Sequence, residues 1–433
     1  MDRWRPSDRL LLLLAFGAGI LIRVVLFPLP NHGDMDQFVG WVHHIATNGL
    51  TTLYEGTDHG PVTFGAVMAY VWAILAAIQP AFQTATDASD PIVRTFMRIP
   101  PSLADLGLAA LVAYALWDRP RWAIAGAAVT LLILPTWYVS AWWGQYESIF
   151  ALSGLAAAIA AMRGHNLVAA AFLMVSLSTK PQAIPFVVPF AAWFWATGYA
   201  RDRVRGAALE LAKAAAVGLV VFVVIWLPFL PGGPFDYLAN IRVYQDEIFP
   251  ILSLRAWNVW WLIQELVNGG GFARDDIALV GPVTFRVIGL VVTALLSLAI
   301  AIAIVRDKRP GTLLTGLAAS VLVFFTFMTQ MHERYAYAAV LFLILAIPSR
   351  VSPWLWIVFV VTLSLNLVAA VPITPEVGAL VPVNGPLGIV GSLVLIGVTV
   401  AVLGLTRNPR DVRTVAGPQG AGVPSVGGAS SGT

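Results

Sequence analysis

Runs of about 20 mostly apolar residues recur from one end of this chain to the other. Inside a bilayer no water satisfies the backbone, so each such run must cross as a helix that bonds its own N–H and C=O groups. Hydropathy predicts spans at 10–29, 97–117, 122–140, 147–162, 165–180, 183–198, 209–229, 283–305, 311–328, 335–348, 352–371 and 386–405. The expected fold is therefore an all-α polytopic membrane protein of about twelve transmembrane helices. Only 11% of the 433 residues are charged and 58% are apolar, where a soluble chain is roughly 25% charged. That excludes a soluble globular enzyme, a disordered chain and a nucleic-acid binder. Cysteine is absent, which removes disulfides, thiolate metal sites and a Cys nucleophile.

Segment 60–79 is also long enough to span, and counting it would invert every later loop. The positive-inside rule decides the matter. With twelve spans, the cytoplasmic side holds 17 of the 26 basic residues and 7 of the 23 acids, a net +10 against −7 for the remainder. Segment 60–79 is then expected to be re-entrant or interfacial, beside an amphipathic stretch whose apolar residues at 38, 39, 41, 42 and 45 follow helical spacing. Four regions follow: a seven-span module at 1–230 with a first outer loop at 30–96, a second long outer loop at 231–282, a five-span module at 283–406, and a Gly/Ser/Pro-rich tail at 407–433 expected to be disordered in the cytoplasm.

The unusual residues gather on the outward side. The first loop carries Asp34, Asp36 and His59. Later turns carry Trp142, Gln145 and Glu147; Lys180 and Gln182; Arg255, Trp257 and Asn258; and His332, Glu333 and Arg334. Ionisable groups in short turns between apolar spans are costly unless they meet an opposite charge. Asp34 and Asp36 lie two residues apart, so they do not share a helical face and only one is expected to enter a common site. Trp and Tyr at span ends also serve as interfacial anchors, and a lone Lys can snorkel to the headgroups. His32, Asp34, Asp36 and His59 could make a hard-cation or zinc site. Arg23 and Asp105 fall inside spans, where a buried pair and a functional role are both open.

In this order the motifs resemble the GT-C superfamily of polyprenyl-phosphate-sugar-dependent glycosyltransferases. GDMDQFVGW (33–41) is similar to the opening motif of the N-glycan glucosyltransferases that use dolichyl-phosphate-glucose. TDHGP (57–61) sits where that family has Asp-Tyr-Pro-Pro, and WWGQYES (142–148) resembles its Trp-Gly-Gln-x-Asp-Ser turn with Glu147 for Asp. STKPQAIP (178–185) resembles the Lys-x-Gln turn, and MHERY (331–335) the His-Glu-Lys/Arg motif. SLRAWNVWWL (253–262) is similar to the Asn-Ala-x-Asn-x-Trp-Trp segment of bacterial relatives, with Arg255 where they have Asn.

The resemblance implies an inverting hexosyltransferase of the cell envelope, a mannosyl- or glucosyltransferase, acting on the extracytoplasmic face of the plasma membrane with both termini cytoplasmic. Its partners would be a polyprenyl-phosphate sugar donor, a glycan, glycolipid or protein acceptor, and the bilayer. No cofactor and no metal would be needed. Asp34 would be the general base, with Asp36 as the other candidate. His332, Arg334, Lys180 and Arg255 would bind the donor phosphate. Trp142, Gln145, Glu147, Gln182, Glu333, Trp257, Asn258 and His59 would contact substrate. Two other readings stand beside it: a polysaccharide polymerase or ligase with lipid-diphosphate donors, which would call for more cations, and a lipid-linked sugar flippase or transporter, which would show midplane charges and paired repeats.

Overall fold

A computed structural model describes residues 4–31 and 33–407. The expected tail lies outside the described residues, as does His32. The helices are α1 (Pro6–Leu26), α2 (Met35–Asn48), α3 (Ala66–Ile78), α4 (Pro91–Ala115), α5 (Pro120–Leu132), α6 (Leu134–Trp137), α7 (Glu147–Met162), α8 (Asn166–Leu177) and α9 (Val187–Trp226). After the second long loop, which carries α10 (Gly233–Val243) and α11 (Val259–Asn268), come α12 (Phe285–Arg306), α13 (Pro310–Phe327), α14 (Tyr337–Ala346), α15 (Pro353–Ala370), α16 (Pro375–Leu380) and α17 (Pro386–Arg407). The chain is an all-α polytopic membrane protein.

Among the described residues, seven helical stretches are long and apolar enough to cross a bilayer, or eight when the pair Pro120–Leu132 and Leu134–Trp142, bent by 47°, is taken as one span. One of the seven, Pro181–Phe229, holds two expected spans, 183–198 and 209–229. Its helix breaks between them, where Asp202 and Arg203 leave helical φ/ψ. The expected spans 147–162, 165–180 and 335–348 correspond to helices of 16, 12 and 10 residues. At about 1.5 Å per residue these fall short of a hydrocarbon core of about 30 Å.

Burial separates core helices from lipid-facing ones. α13 and α14 are buried along almost their whole length. α1 and α12 turn Leu13, Leu21, Leu290 and Leu295 outward, each more than half exposed, the pattern of helices that trade water for acyl chains. Small residues let α7 and α8 approach closely, with Ala157, Ala158, Ala161, Ala169 and Ala170 all buried. Arg23 and Asp105 find each other: the guanidinium donates to Asp105 Oδ2 at 2.7 and 3.1 Å. Ser140 and the Tyr337 hydroxyl also donate to Asp105. All four are buried, so this pair ties α1 to α4, the turn after α6 and α14.

The loops collect at two ends. At one, Gly65 N donates to Thr179 O and Val67 N to Ser178 O, which sets the start of α3 beside the α8–α9 connection. The turn after α3 comes back to α2, where Phe82 O meets His43 Nδ1 at 2.9 Å. α3 therefore begins beside the α8–α9 connection and is followed by a turn that packs on α2. In the second long loop, β1 (Ser253–Leu254) pairs in parallel with β4 (Met331–His332), while β2 (Ala278–Val280) and β3 (Val283–Thr284) form a separate hairpin. At the other end Arg350 pairs with Asp307 at 2.7 Å, Arg163 lies over the Tyr114 ring, and Trp4 stacks on Trp117.

Candidate active site

Four loops place one charge each, or several, around a single point. Asp34 precedes the first turn of α2. A π-helical turn at Tyr138–Trp142 and Gly144, at φ +78, swing the chain so that Gln145 and Glu147 face inward at the start of α7. Lys180 sits between α8 and Pro181. Glu333 and Arg334 follow β4, held in place by the β1 pairing.

Arg334 is the hub. Its guanidinium donates to Asp34 Oδ2 at 3.0 Å, Glu147 Oε1 at 3.2 Å and Glu333 Oε1 at 2.9 Å. It also lies 4.8 Å from the Trp143 ring centroid, a cation–π distance. Lys180 Nζ reaches the same Glu147 oxygen at 2.5 Å, and Gln145 Nε2 donates to Asp34 Oδ2 at 2.8 Å. Arg334 and Lys180 thus face the three carboxylates of Asp34, Glu147 and Glu333. Burial lifts the Glu333 carboxyl above the usual range, against the pull of Arg334.

The resemblance assigns His332 to the donor phosphate. Burial, Arg334 and Lys180 together hold its imidazole well below the usual range. Arg334 Nη1 stands 3.1 Å from His332 Nδ1. A guanidinium can only donate, so Nδ1 accepts and the ring proton sits on Nε2. His332 therefore offers a neutral N–H donor.

A cavity of about 330 Å³ lies against this cluster, lined by Asp34, Lys180, Gln182, His332, Arg334 and Tyr335 on the polar side. Phe38, Trp41, Phe64, Ile184, Leu290 and Phe324 form much of its apolar wall. Ile184 and Leu290 are more than half exposed on the flank of the bundle, so the cavity reaches the surface that faces acyl chains. Three buried acceptor oxygens, Gln145 Oε1, Glu147 Oε2 and Gln182 Oε1, have no donor. Of these three residues, Gln182 lines the cavity, while Gln145 and Glu147 are fully buried and absent from its wall.

A family model describing the ALG6, ALG8 glycosyltransferase family matches residues 41–369. The chain belongs to that family. It is a GT-C type family of dolichyl-phosphate-glucose glucosyltransferases, so this family member is a membrane glycosyltransferase with a lipid-linked sugar as donor. No curated protein sequence matches the chain.

Of the residues expected at the family's site, Asp34, Gln145, Glu147, Lys180, Gln182, His332, Glu333 and Arg334 come together. Others do not. Asp36 Oδ1 accepts from Ala88 N at 2.9 Å and is absent from the cavity wall. Trp142 is buried against Tyr138. Asn258 caps α11, accepting from Trp260 N and Trp261 N, and Trp257 bonds Asn366 and Val383, so both hold the second loop on the bundle. His59 packs over Gly40, whose missing side chain makes room for the ring. Arg255 turns away from the first cavity and lines a second one. Among the described residues no three His, Asp or Glu side chains gather as metal ligands.

Arg286 and Tyr244, given no role from the sequence, also stand at this family member's cavity. Arg286, in the first turn of α12, lines it while pairing with Asp275 and Asp246. Tyr244 lines it too, its hydroxyl pushed up to about 12 by burial and by Asp34. Arg286 had a sequence signal, a charge at the mouth of an apolar span.

Proposed function

We propose that this glycosyltransferase moves a hexose, mannose or glucose, from a polyprenyl-phosphate to an acceptor hydroxyl on the extracytoplasmic face of the plasma membrane, with inversion and with Asp34 as base. The observation that carries the reading is the Arg334 guanidinium, shared by three carboxylates at the wall of a cavity with an apolar flank. The phosphodiester of an arriving donor competes for Arg334. Once Arg334 turns to the phosphate, Asp34 loses its strongest partner and becomes free to take a proton.

The acceptor oxygen then attacks the anomeric carbon as Asp34 removes its proton. The bond to the phosphate oxygen breaks, and the leaving phosphate gains charge. Arg334 and the His332 Nε2–H meet that charge in a partly dehydrated site, where fixed donors act most strongly. Lys180 acts through Glu147, keeping that carboxylate in place. Gln182 would accept from a sugar hydroxyl. The apolar wall around Ile184 and Leu290 suits the start of the polyprenyl chain, and the acceptor is a glycan, glycolipid or protein.

Twelve crossings fit this reading. The contacts at the two loop ends alternate along the chain, and the short helices α7, α8 and α14 each join one end to the other. α3 starts and finishes at the site end and is counted as re-entrant. The charge asymmetry then puts the site outside and both termini in the cytoplasm, with the modules 1–230 and 283–406 on either side of the second long loop. The test is a panel of polyprenyl-phosphate mannose, glucose and arabinofuranose, with membrane extract as acceptor. Transfer from a monophosphate-linked hexose supports the assignment. Turnover of diphosphate-linked sugars alone would replace it with a polymerase or ligase.

A further inference from the structure

A second cavity, of about 320 Å³, is lined by Gly33, Arg255 and residues of the stretch 370–375. It shares no residue with the first cavity, yet the two are walled by chain neighbours. Gly33 lines the second and Asp34 the first; Arg255 lines the second and Leu254 the first. Arg255 also bridges the backbone of His332. The carboxylate read as base and the histidine read as an N–H donor to the phosphate therefore stand between the two cavities.

The chain is closely packed at Gly33. Its φ is +120, and a Cβ there would lie 2.8 Å from Trp143 Nε1. That indole N–H is itself buried without an acceptor. Arg255 adopts φ +63, a region an arginine rarely enters. Its side chain makes one protein hydrogen bond, from Nη1 to Ala370 O at 2.9 Å. Lys180, Arg286 and Arg334, which line the first cavity, all pair with carboxylates. Arg255 pairs with none among the described residues and is exposed. Its planar fork, with most of its N–H groups unused, faces open space one residue away from the first cavity.

We infer that the second cavity receives the acceptor, and that Arg255 selects acceptors bearing an anionic group, a phosphate or a carboxylate, beside the hydroxyl presented to Asp34. This rests on the transferase reading. Arg255 touches the acceptor and takes no part in the bond changes. The acceptor proton passes to Asp34, its oxygen bonds the anomeric carbon, and the electron pair of the broken bond leaves on the donor phosphate. Guanidinium forks match phosphate and carboxylate oxygens in pairs.

The test uses purified full-length protein, a polyprenyl-phosphate hexose, and three acceptors on one alkyl chain: a neutral hexoside, its 6-phosphate and the matching hexuronoside. The native protein should favour a charged acceptor by about tenfold or more in kcat/KM, and the better of the two names the group. Arg255→Asn, a residue that tolerates the left-handed region, should erase that preference through KM. Arg255→Lys should keep part of it. Equal use of all three acceptors by the native protein would overturn the inference, as would equal losses on neutral and charged acceptors in Arg255→Asn. A raised KM for donor in that variant would overturn it too, returning Arg255 to the donor. Slow donor hydrolysis to water, followed in parallel, separates the failures. Donor consumed without discrimination sinks this inference alone, and donor never consumed sinks the transferase reading with it.

Discussion

Arg334 binds Asp34 at 3.0 Å across 300 positions of sequence, and the same guanidinium holds Glu147 and Glu333. One cation thus organises residues from three separate loops. It also occupies the carboxylate proposed above as base. Arg334→Ala should therefore raise KM for donor and lower kcat as well, because the phosphate gains charge as the sugar leaves. The expected loss is about 2–4 kcal/mol of transition-state stabilisation, with Arg334→Lys recovering a minor part. Steady-state kinetics on detergent-purified protein measure this. An unchanged kcat in Arg334→Ala would remove the residue from the chemistry.

Lys180 and Glu147 are both buried, and each depends on the other. Glu147→Gln strands an ammonium in a low-dielectric site, which costs about 3–5 kcal/mol. Thermal unfolding in detergent should show a large drop for Glu147→Gln. The double variant Glu147→Gln with Lys180→Met should regain much of it, since removing both charges leaves neither unpaired. A double variant no more stable than the single one would mean that the pair is not what holds these loops together.

His332 sets a pH dependence. Its folded pKa lies well below the ordinary value, so below about pH 6.5 the unfolded chain binds a proton that the folded protein does not. Stability from this residue is present above that pH and is lost as pH falls from the unfolded toward the folded value. Glu333, raised by burial, acts in the opposite sense: its contribution is lost as pH rises through its folded pKa. Comparison with His332→Gln isolates the histidine. The melting temperature of the native protein should fall more steeply below about pH 6.5 than that of the variant. Parallel curves would show that His332 is not held neutral.

Much of this architecture is readable in the sequence because bilayer physics leaves few options. Apolar runs, charge asymmetry and polar turns located the helices, and they also gathered eight of the site residues. What was not readable depends on direction. Asp34 and Asp36 are equivalent as letters, and only the path of the chain entering α2 sends one to Arg334 and the other to Ala88 N. Trp257 and Asn258 were assigned to substrate by the resemblance, and the bonds they make to the α11 N-terminus, Asn366 and Val383 depend on the path of the second loop. Arg255 lines the second cavity rather than the first, on a left-handed backbone that composition does not reveal. Arg286 was passed over inside a span whose hydropathy hides a single charge.

The absence of cysteine makes orientation accessible to single engineered thiols. Ser89 and Thr374 are exposed at the site end, and Ser349 is exposed at the opposite end. Impermeant maleimide on intact cells should label Cys at 89 and 374, and should label Cys at 349 only after permeabilisation. The reverse pattern would put the site in the cytoplasm.

The central claim is that Asp34 is the base of a lipid-phosphate sugar transferase, and paired kinetics of Asp34→Asn and Asp36→Asn on one donor test it most directly. Asp34→Asn should lose roughly 100-fold or more in transfer while still binding a donor analogue and folding. Asp36→Asn keeps a carbonyl oxygen that can accept from Ala88 N, so its transfer should stay within about tenfold of the native rate, a barrier change of about 1.4 kcal/mol. Activity kept in Asp34→Asn and abolished in Asp36→Asn would contradict the assignment.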